Sequence, residues 1–156
     1  MRMTLEIYQE RIDEIELYFN ALKELYQTQS RESEHSFYND DFLKILKANA
    51  LIMIYNLVES SIMGGILEIY DELKNSGYSY KDVRKEIQDI WFSFKFNQVY
   101  DKTAHYNSYR DKAAEIINAI MRNEPIEMDR KATDISGNLD ADKIRQICSD
   151  HGITYT

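Results

Sequence analysis

Cysteine and proline are almost missing from this 156-residue chain, which has one of each. A lone Cys148 cannot close an intramolecular disulfide, so the fold does not depend on an oxidising compartment. One proline and five glycines exclude a collagen-like, low-complexity or turn-rich all-β chain. An excess of basic residues is missing too: 19 Lys and Arg stand against 27 Asp and Glu, a formal charge of −8. That balance speaks against broad, non-specific nucleic-acid binding, though not against a small local basic site. No signal-peptide core forms, because Glu6, Glu10 and Arg11 follow the start closely. The most apolar stretch, Ala48 to Leu67, is broken by Asn49, Asn56 and Glu59, and a membrane span of about 20 residues accommodates such groups poorly. The expectation is a soluble, cytoplasmic protein with no membrane contact.

What is present points to helices. The length suits one compact domain over residues 1–156, large enough to bury roughly 70% of the surface its unfolded chain would expose. Leu5, Tyr8, Ile12, Ile15, Phe19, Leu22 and Tyr26 recur three and four apart, the seam of an amphipathic helix that Thr4 can cap. The polar stretch Gln27 to Asn39 reads as a loop. Asn39 or Asp40 then starts a long helix that runs to about Lys74 and stops near Gly77. Leu51, Ile52, Met53, Ile54, Leu57, Val58 and Ile62 cover nearly every face of its middle, which predicts a helix at the centre of a bundle. Gly64 and Gly65 mark a kink or a close helix approach.

A third helix is predicted from about Lys81 to Phe96, buried through Val83, Ile87, Ile90, Trp91 and Phe94. Asn107 or Ser108 caps a fourth, with Ala113, Ile116, Ile117, Ile120 and Met121 inward and Pro125 just past its end. Asn123 to Leu139, with Gly137-Asn138, reads as an ordered loop. Asp140 caps a short last helix, Ala141 to Asp150, ended by Gly152. The fold class is all-α: a single-domain bundle of four main helices plus a short C-terminal one.

Most familiar chemistries find no support. There is no glycine-rich phosphate loop and no cysteine–histidine cluster, so no cofactor and no metal are expected. Glu32 and His35 have the spacing of a di-iron ligand pair but stand alone in a polar loop. Asp101 and His105 give too few ligands to fix a metal. On the second helix, Asn56 and Glu59 are costly among apolar neighbours unless hydrogen-bonded. They serve either as a polar stripe that bonds a neighbouring segment or as a cleft wall that supports a catalytic group.

The last helix carries the other candidates, Arg145, Gln146 and His151. An arginine fork suits a phosphate and a histidine moves protons near neutrality. Together they suffice for metal-independent RNA cleavage, the 2′-oxygen attacking phosphorus while arginine offsets the developing charge. Six positions on an ideal helix leave the two side chains roughly 120° apart, so they meet only if the helix ends or bends between them. Residues alone favour the plainer reading, a surface arginine and a histidine near a helix C-terminus.

Two tracts nevertheless resemble a known family. Asn-Leu-Val-Glu-Ser (56–60), together with Ser-Gly-Asn-Leu-Asp-Ala-Asp-Lys-Ile-Arg (136–145) followed by His151-Gly152, is similar to the HEPN superfamily, in particular to small stand-alone bacterial MAE-type HEPN-like proteins. That resemblance implies a helical bundle, a homodimer, and a place in toxin–antitoxin or anti-phage systems beside an antitoxin or other neighbouring-gene protein. It also implies a metal-independent ribonuclease acting on RNA: Arg145 and His151 catalytic, Gln146, Asn56 and Glu59 supporting. Lys95, Lys102, Arg110 and Lys112 would give a local basic patch. The family's non-catalytic members imply the alternative, a nucleotide-binding or protein-interaction module. A third reading is a structural adaptor that pairs through the seam of the first helix.

Overall fold

In a computed structural model, residues 2–29, 40–97, 106–133, 135 and 139–154 can be described. They form five α-helices and one 3-10 turn: α1 (Arg2–Gln29), α2 (Asp40–Asn75), α3 (Lys85–Asn97), α4 (Tyr106–Met121), the turn Arg130–Thr133, and α5 (Ala141–Asp150). The fold is all-α, as a helical bundle requires. The only β-type pairing among these residues is an isolated bridge between Ser79 and Pro125. The polar loop with Glu32 and His35, the pair Asp101 and His105, Lys102 and Gly137-Asn138 lie outside the described residues.

The chain divides into two compact units, Met1–Ile62 and Met63–Thr156. In the first, α1 and the start of α2 are tied by the Tyr18 hydroxyl, which donates to the Leu46 carbonyl at 2.8 Å. Lys47 adds a 2.9 Å bond to the Tyr26 hydroxyl and lies 4.8 Å from that ring's centroid. Thr4 falls inside α1 rather than at its cap, because the helix already begins at Arg2.

In the first unit α2 is covered on one side only. Leu51 is 69% exposed and Ile52 56%, because two helices can cover only one face of each other. The seam of α1 is likewise covered only at Ile15, half-covered at Ile12 and Leu22, and open at Leu5, Tyr8, Phe19 and Tyr26. By length and composition Asp41–Asn75 is also apolar enough to cross a membrane, and Asn49, Asn56 and Glu59 lie within it. Among the described residues nothing lies within 4 Å of where a Cβ on Gly65 would stand.

In the second unit, Ile87 and Trp91 of α3, Ile116 of α4 and Ile126 form the core, with Leu73, Tyr80, Val83 and Met128 packed around it. Helix α3 touches α4, the 3-10 turn and α5. It starts at Lys85, four residues later than expected, because Asp82 turns the chain: its carboxylate accepts from the Ser79 amide at 2.8 Å and the Ser79 hydroxyl at 2.6 Å. Asn107 and Ser108 lie inside α4, which begins at Tyr106, and Ile117 and Met121 point outward at 55% and 72% exposure.

Three helices stop in the same way. At the ends of α2, α4 and α5, residues Gly77, Asn123 and Gly152 take positive φ values of 68°, 53° and 64°. Each helix end carries the paired backbone bonds of a Schellman motif, such as Ile153 to Cys148 (2.8 Å) and Gly152 to Ser149 (2.9 Å).

Candidate functional site around the His-Gly turn

Helix α5 is set at both ends by its own sequence. Asp140 caps the start, its carboxylate accepting from the Lys143 amide at 2.8 Å. Apolar Ile144 and Ile147 fall on the inner side, Ile147 fully buried. His151 is the C-cap and Gly152 supplies the left-handed residue that turns the chain away.

His151 is 5% exposed, and both ring nitrogens are engaged. Nδ1 lies 2.8 Å from the Ile147 carbonyl, a group that only accepts, so Nδ1 carries the proton. In the neutral ring Nε2 is then the acceptor, and the Tyr70 hydroxyl of α2 donates to it at 2.7 Å. The two rings stack with centroids 5.8 Å apart. Burial holds the histidine below its ordinary pKa, outweighing the Ile147 carbonyl and the Asp150 carboxylate, which favour the charged ring. Burial likewise pushes the Tyr70 phenol up. Arg84 completes the turn by donating to the Gly152 carbonyl at 2.6 Å. A Cβ on Gly152 would stand 2.6 Å from Arg84 Nη1.

The other candidates of α5 face elsewhere. Arg145 is exposed and paired with Asp142 one turn earlier. Gln146 donates to Asp150 at 2.6 Å. Arg145 and Gln146 are thus engaged with Asp142 and Asp150, not with the imidazole that the family resemblance implies they share. Asn56, exposed, and Glu59, half-buried, belong to the first unit. Beside them Ser60 and Ser61 bond back to the Leu57 carbonyl of their own helix.

A cleft of about 510 Å³ opens beside His151, lined by Glu86, Asp89, Ser93, Lys131, Thr133 and Asp150 among others. Three carboxylates against one lysine make its walls net acidic, which repels a phosphate backbone. Of the expected basic patch, Arg110 is paired with Asp111, Lys112 with Glu115, and Lys95 lies 5.9 Å from the Trp91 ring centroid. Among the described residues no three His, Cys, Asp or Glu side chains come together as metal ligands. Sequence reasoning missed Tyr70 and Arg84. The only signal was Gly152, which marks the turn without saying what holds it.

Fold and turn together define an all-α chain whose helix α5 closes in a locked His-Gly cap. A family model matches residues 5–154. The chain belongs to the HEPN_MAE_28990-like HEPN family, and membership supports a HEPN-type module of nuclease-like or RNA-related kind. No curated protein and no solved structure matches it.

Proposed function

We propose that this HEPN chain works as a protein-interaction module, not as a ribonuclease acting through Arg145 and His151. The observation that carries this reading is the occupied imidazole. A general base needs a lone pair within reach of its substrate, whereas Nε2 of His151 is bonded to a Tyr70 that is itself 1% exposed. The ion pair of Arg145 with Asp142 and the acidic cleft support the same reading. Support for a partner comes from the first unit, where Leu5, Leu17, Leu51 and Ile52 are each more than half exposed, an arrangement that favours association. The partner is a protein, either a second copy or a neighbouring-gene product, met in the cytoplasm.

One observation favours a second reading. Arg145, Gln146 and His151 lie inside the matched residues and keep the spacing that the resemblance requires. In that reading the chain is a metal-independent endoribonuclease, the toxin or effector of a toxin–antitoxin or anti-phage pair. His151 must then leave Tyr70 before it can move a proton.

RNA cleavage by the purified protein in excess EDTA separates the two. The module reading expects no cleavage by wild type, His151→Ala or Arg145→Ala, and a stoichiometric protein complex on native purification. Cleavage by wild type that is lost in Arg145→Ala, whose exposed side chain can be removed without unfolding the chain, establishes the nuclease instead.

A further inference from the structure

The His-Gly turn is held by three groups from different parts of the second unit: Tyr70 from α2, the Ile147 carbonyl within α5, and Arg84 from the segment before α3. All its bonds to the ring are written for a neutral imidazole. A protonated ring donates from both nitrogens, so the Tyr70 oxygen would have to turn from donor to acceptor. Its own proton would then need another acceptor, and among the described residues the phenol bonds only to His151. The added charge would also sit in a site with almost no contact with water.

We propose that the His-Gly turn is an acid-opened clasp: protonation of His151 breaks its bond with Tyr70 and releases α5 from α2. Charged neighbours on every side bear on the balance. Asp150, exposed on α5, favours the charged ring. Arg84, the cation on the Gly152 side, is bonded to Gly152 and lies 3.9 Å from Glu86. Glu86, Asp89 and Lys131 line the larger cleft at His151, and Asp82 lines a second of about 350 Å³ on the Gly152 side. Burial outweighs the Asp150 carboxylate and the Ile147 carbonyl, so the closed form prefers a neutral ring. The sign follows from linkage. A histidine whose folded pKa is depressed stabilises the closed form fully above its ordinary value of 6.5, and that stabilisation is lost as pH falls toward the folded pKa.

The test pairs NMR titration of the His151 ring with amide hydrogen exchange of α5 across about pH 7.5 to 5, corrected for the intrinsic pH dependence of exchange. In wild type His151 titrates below 6.5, and the opening of α5 grows by up to about tenfold per pH unit over that window. His151→Gln cannot titrate, so its opening is flat with pH. Tyr70→Phe keeps the ring but loses the hydroxyl that holds Nε2 neutral, so its His151 titrates, and its α5 opens, at higher pH. Opening of α5 that does not change with pH in wild type overturns the clasp, as does an unchanged pH slope in His151→Gln. If His151→Gln does not fold, Tyr70→Phe decides, and an unshifted midpoint there overturns it. The RNA cleavage assay reads a different property, so either proposal can fail without the other.

Discussion

The two units of this chain use the same material to different effect. Residues 1–62 hold α1 and the first part of α2, whose apolar side chains stay largely open, with Leu17 at 72% and Leu51 at 69% exposure. Residues 63–156 hold shorter helices around a closed core, where Ile126 is 1% and Trp91 3% exposed. Hydropathy alone does not separate them, since the most apolar stretch of the chain lies mainly in the more open unit. Partners separate them: α3 meets α4, the 3-10 turn and α5, and each contact covers a further part of its surface.

This contrast sets the order of expected effects. Trp91→Ala empties the middle of the closed unit and costs about 3–5 kcal/mol, read by chemical denaturation. A loss under about 1 kcal/mol would mean that the core is not where the packing puts it. Gly152→Ala forces a side chain into a left-handed position against Arg84 and costs about 1–2 kcal/mol, seen as a lower urea midpoint. Leu51→Ser, in the open unit, changes the stability of the isolated chain by under about 0.5 kcal/mol. If the open face is an interaction surface, the same substitution weakens the complex, and light scattering on wild type and variant sharpens the comparison.

Much of the fold was legible because it depends on local chemistry. Asp140 through its carboxylate, and Gly77 and Gly152 through backbone bonds, set helix ends within a few residues, and each is where the sequence places it. The start of α3 was not legible, since the Ser79–Asp82 turn competes with a helix pattern that continues unbroken through Val83. Exposure on α1 and α2 was not legible either: periodicity says which side chains share a face, not whether anything arrives to cover it. The candidate site divides in the same way. The spacing of Arg145 and His151 can be counted in the sequence, but the phenol that occupies Nε2 comes from 81 positions earlier. Tyr70 stands in register with Ile66 and Leu73 of α2 and looks there like one more core aromatic.

That separation has a consequence for synthesis. At roughly 5–20 residues per second, a ribosome makes Tyr70 about 4 to 16 seconds before His151. Throughout that interval the phenol has no imidazole to receive its proton, and the inner face of α2 near Tyr70 cannot be sealed. The C-terminal turn is therefore the last piece of the second unit to be supplied, and the nascent chain waits for it with this hydroxyl still turned to water.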